Sequence, residues 1–575
     1  MDFPAIHLHR HGRGTLPIVI GMTGHRDIRE EDIPTLKTLF KGVLEDFSKK
    51  YPSTPLILLT SLAEGADRLG AQVAFEMGIE VIAPLPFAID EYKKDFSSLT
   101  SLQEFDEFIS KCSRSFVVPF AEGVSHENIH LSYSRDSQYG QVGGYISRYS
   151  QVLIAFWDGK HLDLQGGTSS VVRMKLEGKE ELEEAVQNPL DPPESGPVYH
   201  IVTPRQGHDG TIGEPLTVKM CYPAGYDDEA AATRSHLRIY DQIELFNSDA
   251  VLLADKLKAD REQSKKYVFP PEHYQSLSPA LRDTIDNFTL ADTLASHFQK
   301  FTIRAFQGLF LLVFVAAAFF DFYAHLFYDY NLVLVGYFLT FIAAFLWYER
   351  AKRGKFQSKY LDYRALAEGL RVQFYWQYGG IRNSASEFYM RKQKSELDWI
   401  RFALRTFAIP ADDESLTKGA HSTESKMHRL EVTQKSWIED QAKYYKKSLH
   451  RDHHKLHKME RNINWIFFIG VALTGVQLFL SHPNHYLIVA IGLAPIIAAL
   501  IGSYLEKNGL VGHIKQYERM STLFHQANEA IKYHLGAGNR KEAISYILEL
   551  GKEALAENGD WLLHHRERPL EVPKG

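Results

Sequence analysis

Glycines and small hydroxyl residues collect where three apolar runs in the first third of the chain end. Leu16-Pro-Ile-Val-Ile leads into Gly21, Thr23, Gly24, His25 and Arg26. Pro55-Leu-Ile-Leu-Leu leads into Ser61, Glu64, Gly65, Ala66 and Asp67. Gln151-Val-Leu-Ile-Ala-Phe-Trp leads into Asp158, Gly166, Gly167 and Thr168. Glycine lets backbone N–H groups come close to a phosphate, and a helix that starts there adds favourable partial charge. Arg26 or Arg68 could pair with phosphate oxygens. Asp67 or Glu64 could accept from ribose hydroxyls or cap a helix. One glycine-rich turn is ordinary turn chemistry; three at one end of a sheet point to a nucleotide-like ligand. No residue is assigned a catalytic role. His450, His453, His454 and His457 share a helical face on which no carboxylate or cysteine completes a metal site, Asp452 being read as pointing elsewhere, and fit an exposed basic helix beside anionic headgroups.

These turns need strands to hold them. Apolar runs at Leu16–Met22, Pro55–Ser61, Glu80–Pro86, Ser115–Pro119, Gln151–Gly159 and Val198–Pro204 read as strands. Helical spacing separates them, as in Asp32–Lys50, where Ile33, Leu36, Leu39, Phe40, Val43, Leu44 and Phe47 share a face. Strands alternating with helices predict a mostly parallel sheet, an α/β Rossmann-like domain over residues 15–210. Ligands of such sheets sit beyond the carboxyl ends of the strands.

The rest of the chain is organised around two stretches of unusual composition. Ala305–Tyr348 is 44 residues with only Asp321 and Asp329 charged, and Asn462–Leu505 is 44 residues without Asp, Glu, Lys or Arg. A bilayer core takes roughly 20 helical residues, so each stretch is sized for two spans and a turn. The expectation is an all-α membrane domain with four transmembrane helices in two hairpins. Lys300, Arg304, Arg350, Lys352, Arg353, Lys455, Lys458, Arg461 and Lys507 flank the blocks, and the short turns carry no Lys or Arg. Basic residues stay on the cytoplasmic side, which predicts cytoplasmic termini in a multi-pass protein of the inner (cell) membrane. Helical stretches after each block, beginning at Tyr360 and Gln516, suggest a repeated hairpin-plus-helix unit. The divisions are a helical linker over 211–300, a first hairpin and helix over 301–380, a cytosolic connector over 381–458, and a second hairpin with C-terminal helices over 459–575. With Asp321 and Asp329 assigned to the turn, the polar residues within the spans, Gln307, Thr340, Asn464, Thr474, Gln477 and Ser503, are uncharged, so a conducting path requires a homo-oligomer.

With 65 Lys and Arg against 71 Asp and Glu, the net charge of −6 gives no case for nucleic-acid binding. Two distant cysteines, Cys112 and Cys221, suit a reducing compartment, and the first 20 residues hold no apolar core of signal-peptide length.

Met22-Thr-Gly-His-Arg, Ser61-Leu-Ala-Glu-Gly-Ala-Asp-Arg-Leu, and Trp157-Asp-Gly with Gly166-Gly-Thr resemble the SLOG superfamily over the first third of the chain. A hairpin followed by Tyr360-Leu-Asp-Tyr-Arg-Ala-Leu-Ala-Glu-Gly-Leu-Arg resembles the SLATT family of two-span effectors, which the second hairpin matches less well. Together the resemblances imply a bacterial conflict or anti-phage effector. Its Rossmann-like part would sense a nucleotide-derived small molecule, and its hairpins would permeabilise the membrane. The alternative is a membrane-anchored nucleotide hydrolase of the phosphoribohydrolase type. Those enzymes carry a catalytic glutamate shortly after the glycine turn, whereas Ser169-Ser-Val-Val-Arg follows Thr168 here and the next acid is Glu177. A general acid must reach its proton, so the departure favours a sensor over a hydrolase.

Overall fold

The computed structural model describes residues 14–161, 166–178, 194–208, 210–390, 397–409 and 423–568. The sheet domain runs β1 (Ile18–Gly24), α1 (Ile33–Lys50), β2 (Leu56–Leu59), α2 (Ala66–Glu76), β3 (Glu80–Leu85), α3 (Ile89–Tyr92), α4 (Leu99–Lys111), β4 (Arg114–Val117), α5 (Ser132–Tyr149), β5 (Val152–Trp157), α6 (Thr168–Glu177), β6 (Val198–Val202) and β7 (Val218–Cys221). The strand order is β4-β3-β2-β1-β5-β6-β7, parallel throughout except for the antiparallel β7. Unalternating runs such as Ile-Val-Ile in β1 and Val-Leu-Ile-Ala-Phe-Trp in β5 are buried on both faces, as a helix-covered parallel sheet requires. Ile18, Ile20 and Met22 pack under α1 and α2, while Val19 faces Val142 and Ile146 of α5 and Val171 and Val172 of α6.

The helical part comprises α7 (Glu229–Leu252), α8 (Lys258–Val268), α9 (Pro271–Tyr274), α10 (Pro279–His325), α11 (Asn331–Arg353), α12 (Phe356–Tyr378), α13 (Asp398–Phe407), α14 (Thr423–Thr433), α15 (Asp440–Leu478), α16 (His485–Lys507), α17 (Leu510–Gly536) and α18 (Arg540–Arg566). One π-helical turn, Gln434–Glu439, joins α14 to α15 and seats Trp437 flat against Tyr375, ring centroids 5.3 Å apart. The stretch expected to be a linker is load-carrying structure: α7 covers the sheet with Tyr240, Ile243 and Phe246. Its buried Asn247 exchanges hydrogen bonds with the Leu16 backbone (3.0 and 2.7 Å), and Glu244 accepts from Ser53 N–H and the Thr54 hydroxyl. Phe246 then meets Tyr363 of α12 at 5.1 Å between rings, so one apolar core runs from the sheet into the helical body.

The apolar blocks become helices that leave this body and expose large side chains, among them Leu332 at 81 % and Phe338 at 63 %. Among the described residues, three helices, rather than the expected four, are long and apolar enough to cross a membrane: α10, α11 continued by α12, and α16 continued by α17. The remaining block forms the end of α15. There Asn462, Asn464, Thr474 and Gln477 dilute its apolar character, and the helix stops at Leu478. Each returning helix passes into its inward helix through one left-handed residue, Lys355 (φ 50°) and Gly509 (φ 63°). The two hairpins touch where Asp321 of α10, 9 % exposed, lies against Gly492 of α16; a Cβ there would stand 3.0 Å from Asp321 Oδ1.

Candidate ligand site at the sheet switch point

The chain leaves β1 outward through β2, β3 and β4. Helix α5 then brings it back to β5 on the other side of β1. The crevice beyond the carboxyl ends of β1 and β5 is therefore the place where such a sheet offers a ligand site. Thr23 and Gly24 end β1, with Gly24 opposite Phe156 of β5. The loop from β1 interlocks with the one after β2. A Cβ on Gly24 would lie 2.3 Å from that of Ala66, and one on Gly65 would lie 2.4 Å from the Arg26 carbonyl oxygen, so both approaches need glycine. Gly65 also has φ 80° and precedes α2, whose Ala66 N–H donates to the His25 carbonyl (3.1 Å).

Across the crevice, the Asp158 N–H donates to His25 Nε2 at 3.0 Å, and Asp158 Oδ1 lies 3.3 Å from the same nitrogen. Burial pushes the His25 imidazole below its ordinary value against the pull of Asp158. The ring is thus neutral at pH 7, with Nε2 accepting and the proton on Nδ1. Asp158 is itself buried and accepts at Oδ1 from the Lys160 N–H (3.0 Å).

Arg26 is exposed, and its guanidinium stands 4.9 Å from the centroid of the Tyr139 ring on α5. The Tyr139 hydroxyl donates to Asp95, which also pairs with Arg135 (2.6 Å); Arg135 reaches Glu91 at 2.8 Å. This network fixes the ring. The Gly166 turn lies directly on α5: a Cβ there would stand 2.8 Å from Tyr139 Cβ and 2.9 Å from the Gly140 nitrogen, and φ is 75°. Gly167 caps α6 and Thr168 begins it, nearly buried. Residues 162–165 of the same loop lie outside the described residues.

His25, Arg26, Gly65, Asp158, Gly166, Gly167 and Thr168 therefore share one crevice, with Gly24 and Ala66 beneath it. Other expected residues are placed elsewhere. Gly21 lies inside β1, where a Cβ would meet Ser150 Oγ at 2.6 Å, so it serves helix–sheet packing. Asp67 is buried and accepts from Ser61 Oγ at 2.7 Å; burial pushes its carboxyl up, against those hydrogen bonds, and closes it to a ribose. Glu64 accepts from the Ser97 N–H (3.2 Å) and hydroxyl (3.1 Å), and from Ser101, ahead of and within α4. Arg68 is buried and donates to Leu62 O, Ser101 O and Glu104, so it holds α4 rather than an anion. Sequence reasoning missed Tyr139, Arg135 and Asp95. The legible signal was α5 itself, where Gly140, Gly143 and Gly144 in 18 residues mark a helix that another backbone approaches closely.

Chemically, the crevice offers an exposed cation, a fixed aromatic face and the N-terminus of α6. That combination suits an anionic ligand with a planar ring. Ser169 and Ser170 occupy the first turn of α6, and Glu177 ends it. No family model matches the chain, and no curated protein is similar to it.

Proposed function

We propose that this protein is a membrane effector of a bacterial conflict or anti-phage system, in which a nucleotide-derived signal at the β1–β5 switch point opens a homo-oligomer of the apolar helices. The observation that carries the reading is the continuity of the molecule. A Rossmann-like sheet with an exposed arginine at its switch point shares one core with helices that expose apolar side chains. The basic flanks support a cytosolic sheet and body, and the apolar end of α15 packs along α16. The absence of an acidic residue in the first turn of α6 supports sensing over hydrolysis. A ligand opens the assembly only through higher affinity for the open state.

Dye-loaded anionic liposomes carrying the purified chain test this, challenged in turn with ATP, ADP-ribose and cyclic dinucleotides. Dye release with at least one of them, abolished in Arg26→Glu, is expected. Release of base or nicotinamide from nucleoside monophosphates or NAD, with intact liposomes, would establish the hydrolase alternative instead.

A further inference from the structure

The crevice and the membrane helices lie at opposite ends of the sheet domain, because α7, α10 and α13 dock at the amino ends of the strands. Asn247 holds Leu16, and a small cavity there is lined by Thr15, Pro17 and Arg114 together with Asp283 and Phe407. Helix α5 is one of the elements that span the distance. Helix α5 starts on the ligand side and ends where β5 begins; its 18 residues cover about 27 Å at the helical rise.

Both ends of α5 are committed. Its first half carries Arg135 and Tyr139 of the crevice. Its last turn carries Arg148, whose Nη2 pairs at 2.9 Å with Glu387 of the helical body, each side chain 10 % exposed. Arg405 of α13 donates to the Arg148 carbonyl at 3.0 Å and, with Arg401, binds Glu194 ahead of β6. Burial raises the Glu194 carboxyl, but the two arginines outweigh it and hold it at about 2. Between these ends α6 grips α5 along its length. Gly166 meets Gly140, Val171 fills the space beside Gly143, and Lys175 Nζ donates to the carbonyls of Ser147 (2.9 Å) and Ser150 (2.6 Å). Helices α5 and α6 are therefore packed as one unit, and the turn that begins α6 is a wall of the crevice.

Beyond the joint the path continues by contact. Glu387 ends the turn after α12, held there by Gln373, which accepts from the Ala385 N–H (2.8 Å). Helix α12 lies along α10 through Arg364–Asp292 (2.6 Å) and Gln299–Tyr360 (3.0 Å), and both helices run on into apolar spans.

We propose that α5 is a rigid relay that carries ligand occupancy at the β1–β5 crevice to the membrane hairpins, with the buried Arg148–Glu387 pair as its joint. A nearly dry ion pair suits this role, since it is strong when seated and costly when half broken. The inference rests on the crevice being the ligand site.

Hydrogen–deuterium exchange on the full chain in nanodiscs, with and without ADP as the probe, separates the two claims. In the native chain ADP should slow exchange in α5 and alter it in α12 and α13. Arg148→Gln and, as a second variant, Glu387→Gln should keep the α5 effect and reduce the α12–α13 effect by about fivefold or more. An undiminished α12–α13 response in a variant that retains the α5 effect would overturn the relay. If ADP leaves α5 unchanged in the native chain, the nucleotide reading fails for this probe, and Tyr139→Ala becomes the perturbation. A change in α12–α13 exchange that vanishes in Tyr139→Ala/Glu387→Gln then supports the relay; no change, or an equal change in both, overturns it.

Discussion

Arg26 and Arg68 follow two neighbouring strand ends and look alike as phosphate partners, yet burial gives them different work. Arg68 is buried under Phe96 and Phe105, with Nε on the Leu62 carbonyl and Nη1 on Ser101 and Glu104, whereas Arg26 is exposed over Tyr139. A charge-assisted hydrogen bond contributes about 1.5–3 kcal/mol, so Arg26→Gln should weaken binding of a nucleotide probe about 10- to 100-fold. Its melting temperature should stay unchanged, which calorimetry and scanning fluorimetry on one sample can check. Arg68→Ala should do the reverse, costing about 2–4 kcal/mol of stability through the buried acceptors it leaves unpaired. A loss of binding in a stable Arg68→Ala protein would show that the assignment of the two arginines is inverted.

At the scale of elements, α17 and α18 meet just below the second hairpin through two imidazoles, His513 Nε2 and His565 Nε2, 2.8 Å apart. His565 Nδ1–H donates to the Trp561 carbonyl (2.7 Å), so its Nε2 accepts and His513 Nε2–H donates. Burial first, then the neighbouring His565, hold His513 down at about 4 against the attraction of Asp452, with His564 and Arg568 adding to the depression. A depressed histidine contributes stability above its unfolded value of 6.5 that disappears as pH falls toward about 4. The α17–α18 contact should therefore weaken by about 1.4 kcal/mol per pH unit across that window. Amide protection in Leu510–Gly536 and Arg540–Arg566, corrected for the intrinsic pH dependence of exchange, should fall between about pH 7 and pH 5, and His513→Phe should flatten the dependence. A profile unchanged by that substitution would rule the pair out as its source.

At the scale of the whole molecule, the sheet is not a detachable module. Tyr240, Ile243 and Phe246 of α7 close its core, and each buried large apolar side chain contributes roughly 1.5–3 kcal/mol. Their sum rivals the total stability of a typical domain, about 5–15 kcal/mol. A fragment ending at residue 208 should be insoluble or rapidly proteolysed, and one extended through α7 should be markedly more resistant. A soluble, cooperatively melting 14–208 fragment would refute the shared core. Continuity of this kind also gives α5 something firm to push against.

The local code of the chain determined what local physics can determine. Unalternating Val, Ile and Leu runs between helical periodicities specified a parallel sheet, and two charge-poor blocks specified exposed apolar helices, since burial on two faces and exclusion of charge act on each segment by itself. The count of spans was less secure: Asn462, Asn464 and Gln477 leave the end of α15 short of the apolar character of its neighbours. Residue type marked His25, Arg26, Gly65 and Gly166 as ligand candidates, because glycines and charges gather at three strand ends on the same edge of the sheet. Only the tertiary structure decided which charges stayed available. It sank Asp67 and Arg68 into internal hydrogen bonds, set Tyr139 under Arg26, and joined Arg148 to Glu387 across 239 positions of sequence. Pairing at that separation is set by packed helices that meet only after folding, and no local periodicity encodes it.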